Sequence, residues 1–177
     1  MYHTDSTVLV LIDIQEKLAP AMHESLFTIQ NLQKIVNGAK ILQIPMLVTE
    51  QVNLGSTITD IAEHLAGIEP IKKRSFSCCR EEDFIKALSA LNRRQVLITG
   101  IECHICVYQT AVDLVSLGYD VQVVADCVSS RTASNQSIGL KRMESEGVKI
   151  TSTEMALFEL LKVAQGDKIR QISRLVK

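Results

Sequence analysis

The chain has 177 residues, 46% of them hydrophobic and 22% charged, an ordinary balance for one globular domain that can bury a core without disulfides or metal. A formal net charge of −1 offers no electrostatic footprint for nucleic acid or an anionic membrane. Met1–Ser6 carry no basic segment and the apolar run Val8–Ile12 is too short for a signal core or a membrane span, so the expectation is a cytoplasmic protein with a single domain over residues 1–177.

Thr7–Ile12 is almost continuously apolar, as a strand buried on both faces reads. Leu26–Leu42 places Ile29, Leu32, Ile35, Val36, Ala39 and Leu42 at helical spacing. Pro45–Thr49 predicts a second strand, Asp60–Ala66 a short helix and Glu69–Lys72 a third strand. Glu81, Glu82 and Asp83 open a helix that runs to about Leu91, with acidic groups at the positive end of its dipole. Gln95–Thr99 is a fourth strand, followed by a helix from about His104 to Leu117 that Gly118 terminates. Val121–Ala125 is a fifth strand, Thr132–Glu146 a helix stopped by Gly147, and Val148–Ile150 a sixth strand. Thr151 and Glu154 fit a capping box for a helix over Met155–Ala164, and Asp167 caps a last helix bearing Ile169, Ile172, Leu175 and Val176.

Six strands alternating with helices imply an α/β fold: a three-layer αβα arrangement around a parallel, Rossmann-like sheet with right-handed crossovers. Such sheets bind ligands beyond the carboxyl ends of their strands. Three positions stand out there. Asp13 follows the first strand, Lys73 the third, and Gly100-Ile101-Glu102-Cys103-His104-Ile105-Cys106 the fourth. Singly, each has a bland reading: Asp13 a turn former, Lys73 part of a solvated basic run, Cys106 a small core residue. Together they supply the parts of covalent acyl transfer. A thiol near a helix N-terminus and an ammonium has its thiolate favoured, and a carboxylate can take the thiol proton and return it to a leaving group. Backbone N–H groups at the turn can hold the oxyanion.

The segments Leu11-Ile12-Asp13-Ile14-Gln15, Lys73-Arg74-Ser75-Phe76-Ser77, Gly100 to Val107 and Val124 to Arg131, in this order, resemble the isochorismatase-like (cysteine hydrolase) superfamily over nearly the whole chain. Ser129-Ser130-Arg131 and Ser152-Thr153-Glu154 are similar to its isochorismatase domain-containing subgroup. The resemblance implies an Asp–Lys–Cys triad at Asp13, Lys73 and Cys106, with Lys72 the competing lysine. It further implies a cis peptide at Ile101–Glu102 and an oxyanion hole from the amides of Glu102 and Cys106. It suggests a homo-oligomer, dimer or larger, with Lys168–Val176 a candidate interface element. Metal-binding members carry an Asp-x-His cluster after the second strand. Glu50–Gly55 has no histidine, so neither metal nor cofactor is expected and nicotinamide becomes an unsuitable substrate. Members that cleave isochorismate lack a cysteine at the nucleophile position, which the thiol here argues against.

The reading is therefore a hydrolase of a C–N, amide-type bond in a small molecule, through a thioester. Gln15, Gln51, Phe76 and His104 are candidate pocket walls, with Phe76 equally a core residue and His104 a structural hydrogen-bonding one. Rival readings remain. Cys103-His104-Ile105-Cys106 is a Cys-x-x-Cys between strand and helix, as in thiol–disulfide oxidoreductases, or Cys103 is a redox cap on Cys106. Zinc held by Cys103, His104 and Cys106 would lack a distant ligand pair. An inert binding or assembly protein on the same fold is the third class.

Overall fold

The computed structural model describes all 177 residues. Its six strands are β1 (Thr7–Ile12), β2 (Met46–Gln51), β3 (Ile71–Lys73), β4 (Gln95–Ile101), β5 (Asp120–Ser129) and β6 (Lys149–Thr151). They form one all-parallel sheet in the order β3-β2-β1-β4-β5-β6. The helices are α1 (Ser25–Leu42), α2 (Thr59–Ala62), α3 (Glu82–Ala90), α4 (Tyr108–Ser116), α5 (Ala133–Ser145), α6 (Thr153–Leu161) and α7 (Asp167–Val176).

The apolar run of β1 has a direct structural cause. Successive side chains of a strand face opposite sides. Leu9 and Leu11 enter one core with α1, α6 and α7, whereas Val8, Val10 and Ile12 enter a second core with α3, α4 and α5. All six residues of β1 are buried. Each such aliphatic side chain contributes about 1.5–3 kcal/mol relative to exposure, which makes the continuous pattern worth keeping. The last helix packs on its own domain through Ile172, with Leu175 and Val176 against the same core.

Several boundaries depart from the sequence pattern. Lys73 is the last residue of β3, in register with Gln51, instead of the residue after the strand. β4 continues through Gly100 and Ile101, and β5 reaches Ser129 past a register shift between Ile98 and Gly100. Thr151 belongs to β6. Ser152 caps α6 instead, its Oγ accepting from Met155 N at 3.3 Å, so the capping box with Glu154 does not form. Gly166 precedes α7, and Asp167 lies in the first turn rather than at the cap. The segment after β4 is a π turn over Cys103–Val107, and the α-helix starts only at Tyr108.

Candidate active site

Chain direction changes sides between β1 and β4: β1 leads outward to β2 and β3, β4 outward to β5 and β6. That switch point is where a parallel sheet opens a crevice at its carboxyl edge. Asp13 leaves β1 there with φ 52°, a left-handed conformation that turns the chain off the sheet. Its N–H donates to Thr49 O at 3.2 Å, holding it to the end of β2. Next door, Gly100 has φ +114°, and a Cβ on it would lie 2.1 Å from Ile12 O. Only glycine lets β4 lie that close to β1. The Ile101–Glu102 peptide is cis, and Glu102 N–H makes no hydrogen bond within the chain.

Asp13, Lys73 and Cys106 meet in this crevice. Lys73 Nζ lies 2.7 Å from Asp13 Oδ2, both side chains wholly removed from solvent, and 3.7 Å from Cys106 Sγ. The ammonium also donates to Gln51 Oε1 at 2.6 Å, Ser75 O at 3.0 Å and Phe76 O at 3.2 Å. Those carbonyls are fixed because Glu81 Oε1 accepts from Arg74 N at 2.9 Å and from Ser75 N at 2.7 Å. The two amides, Ser75 first, hold the Glu81 carboxyl below its ordinary value. Asp13 Oδ1 accepts from Thr49 Oγ1 at 2.8 Å.

Burial alone would lower Lys73, but the charge of Asp13, and then that of the Cys106 thiolate once formed, outweigh it and hold the ammonium above its ordinary value. The thiol departs from the sequence expectation of a favoured thiolate. Burial, and then the charge of Asp13, push Cys106 up to about 12, with Lys73 only partly offsetting them. The dipole argument also weakens, because Cys106 sits inside a π turn and not at the start of an α-helix. The resting arrangement is an ion pair beside a neutral thiol.

A sequence profile of the Isochorismatase domain matches residues 7–155. The chain belongs to the isochorismatase family. A secreted isochorismatase effector of Phytophthora sojae is 38% identical, the match spanning 97% of this chain and 85% of the relative. Isochorismatase domain-containing protein 2 of Danio rerio is 33% identical, over 98% of this chain and 88% of that one. Among solved structures, the MAR1 ribonuclease of Caenorhabditis elegans superposes with a TM-score of 0.92 at 32% identity, covering 99% of this chain and 91% of that chain. The α/β sheet with helices on both faces is the isochorismatase-family fold.

Within this isochorismatase-family crevice the two lysines separate. Lys72 is 65% exposed and pairs with Glu50, whereas Lys73 is the one enclosed with Asp13. Gln15 is fully buried and spent on the backbone: Nε2 donates to Gln51 O at 2.9 Å and Gly55 O at 2.7 Å, and Oε1 accepts from Gln51 N at 2.8 Å. It braces β2 against the segment that follows it. Gln51 holds Lys73 through Oε1 and Arg74 O through Nε2 at 2.9 Å. Phe76 is 56% exposed, so it is not a core residue. His104 Nδ1 lies 2.8 Å from Ser130 Oγ, tying the π turn to the end of β5. Cys103 is buried with Sγ 3.6 Å from Gln136 O. No group of three or more His, Cys, Asp or Glu side chains is gathered as metal ligands. No helix is long and apolar enough to cross a membrane.

Thr49 and Glu102 are not singled out as side chains by the sequence, and Glu81, expected as an acidic group at a helix dipole, precedes α3 and instead holds the amides of Arg74 and Ser75. Glu102 is buried and pairs with Arg131 Nε at 3.4 Å. Thr49 carried a signal in hindsight: it is a hydroxyl at the end of a strand adjacent to the one that delivers Asp13.

Proposed function

We propose that the chain is a cysteine-dependent hydrolase that cleaves a C–N, amide-type bond of a small molecule through a thioester. The observation that carries this reading is a fully buried ammonium placed 2.7 Å from a buried carboxylate and 3.7 Å from a thiol. Burying both charges costs several kcal/mol per ion before pairing, an outlay that a purely structural core seldom needs.

In the proposed cycle Cys106 begins as a thiol. As Sγ attacks the carbonyl carbon, its proton passes to Asp13 and Lys73 stabilises the negative charge on sulfur. The oxyanion is received by the N–H groups of Glu102 and Cys106; the Glu102 N–H, uncommitted within the chain, suits that role. The C–N bond then breaks, Asp13 gives its proton to the departing nitrogen, and the acyl group stays on sulfur. Water adds to the thioester, releasing the acid and regenerating the thiol. Because the thiol is neutral at rest, the proton transfer belongs to the attack itself.

The test is a panel of small amides and carbamoyl compounds, followed by intact-protein mass spectrometry for an acyl adduct on Cys106. A burst of adduct in the wild type, absent in C106S, is expected. Turnover by C106S at the wild-type rate sinks the mechanism. An RNA substrate belongs in the same panel, because a 32% identical relative bears the name ribonuclease; RNA cleavage that survives C106S would replace the amide reading. The redox alternative loses ground because Cys103 is wholly buried against Gln136 O.

The same reading takes the protein as a cytoplasmic homo-oligomer. Five free thiols suit a reducing compartment, and exposed Leu26 and Phe27 offer apolar surface for a second copy. Light scattering on the purified protein tests the latter; a monomer at micromolar concentration refutes it.

A further inference from the structure

Alternation along β2 assigns its last side chains to opposite sides. Glu50 takes one side, where it accepts from Thr57 N and Thr57 Oγ1 at 2.7 Å each and pairs with Lys72. Thr49 and Gln51 take the other, each holding one member of the buried ion pair: Gln51 accepts from Lys73, and Thr49 donates to Asp13. Thr49 is completely buried. Its hydroxyl carries a single proton. With that proton given to Asp13 Oδ1 at 2.8 Å, the oxygen is left as acceptor for the Cys78 thiol at 3.8 Å.

The two carboxylate oxygens of Asp13 are thereby made unequal. Oδ1 is occupied. Oδ2 is paired with Lys73 Nζ at 2.7 Å. The ammonium has three protons, and Gln51 Oε1, Ser75 O, Phe76 O and Cys106 Sγ also stand at 2.6, 3.0, 3.2 and 3.7 Å around it. A carboxylate oxygen has two acceptor sites, so Oδ2 keeps one for a further proton beside the charge that steadies it.

We infer that Thr49 is a positioning residue, which holds Asp13 by Oδ1 so that Oδ2 alone accepts the proton of Cys106. The inference rests on the triad reading given above and names the atom through which it works. The step moves one proton from Sγ to Oδ2 and leaves its electron pair on sulfur for the attack. The titratable groups facing Asp13 are Lys73 from β3, Cys106 from the π turn and Cys78 from the short 3-10 turn Cys78–Arg80; Glu81 adds charge on the far side of Lys73.

The experiment is alkylation of Cys106 by iodoacetamide from pH 4 to 9, read by peptide mass spectrometry, in the wild type, T49S, T49V and T49A. A hydrogen bond to the charged form of a carboxylate favours that form, so its loss in T49V and T49A moves the acid limb of the alkylation profile upward by about one pH unit. T49S restores the wild-type limb. A merely structural role lowers thermal stability in T49V and leaves the limb in place, which overturns the inference. So does a set in which T49S folds while neither T49V nor T49A does. Wild-type Cys106 reacting no faster than the other four thiols at every pH defeats the triad reading itself. An ordinary wild-type limb that T49V does not shift defeats only Thr49.

Discussion

Asp13→Asn and Lys73→Met both break the buried pair, but the surroundings predict unequal losses. Removing one partner of a buried ion pair costs about 3–5 kcal/mol, because the other charge stays behind uncompensated. After Asp13→Asn the ammonium still has acceptors for all three protons, in Gln51 Oε1, Ser75 O and Phe76 O, which places the loss near the lower end, about 3 kcal/mol. After Lys73→Met those three acceptors lose their donor together, and the carboxylate keeps Thr49 alone, so the loss lies at the upper end, about 5 kcal/mol. For a domain of this size each kcal/mol is worth about 2–4 °C in Tm, giving about 6–12 °C and about 10–20 °C. Urea unfolding followed by far-ultraviolet circular dichroism at pH 7 measures both, with Lys86→Ala as control. Lys86 and its partner Glu82 are both mostly exposed, so that control stays within about 1 kcal/mol. The reasoning is refuted if Asp13→Asn is as damaging as Lys73→Met, or if both behave like the surface control.

Three further outcomes are expected. Gly100→Ala, with its new methyl carbon 2.1 Å from Ile12 O, should cost more than about 4 kcal/mol or prevent folding; a melt within a few degrees of wild type would show that β1 and β4 can part at no cost. Gln15→Glu replaces the donor to Gln51 O and Gly55 O with a buried acceptor and should cost more than about 3 kcal/mol at neutral pH, again by urea midpoint. Alkaline pH should destabilise the protein. Burial raises Cys78 to about 11 and Cys79, Cys103 and Cys106 to about 12 from an ordinary 9.0, so above pH 9 the unfolded chain binds fewer protons than the native one and stability falls until the native thiols ionise near pH 11–12. Urea midpoints at pH 8 and pH 10.5 check the slope; equal values would mean the thiols are not held neutral.

The parts of the fold legible in the sequence are those written as pattern. β1 was recovered residue for residue because both its faces are buried. The order of elements, and hence the parallel sheet, followed from alternation of strand and helix. Boundaries were less legible where backbone angles decide them. Ser152 and Thr151 are equally good caps by residue type, and only the register of β6 with β5 consigns Thr151 to the sheet. The π turn has no compositional mark, since Cys-His-Ile-Cys-Val fits a first helical turn as well. At the site, Asp13, Lys73 and Cys106 were named from strand ends, but the choice between Lys72 and Lys73 needed the alternation of β3. The bracing role of Gln15 is not legible in the sequence because its partners are backbone atoms 36 and 40 residues away. The elevated thiol was out of reach for a similar reason: desolvation is a property of the assembled core, not of neighbours in the chain.

β3 is one of the two edge strands, joined to the sheet through three residue pairs with β2 alone, and its last residue carries the ammonium. Its apolar anchorage is one half-buried side chain, Ile71, packed against the core of α3, α4 and α5. Local opening draws on such thinly attached segments long before the rest of a domain yields. Fraying of three residues would rehydrate Lys73, leave Asp13 alone with Thr49, and disarm the crevice while both cores stay folded. Amide exchange in Ile71–Lys73 thus reports on the competence of the site, and exchange in β1 and β4 reports on the survival of the protein.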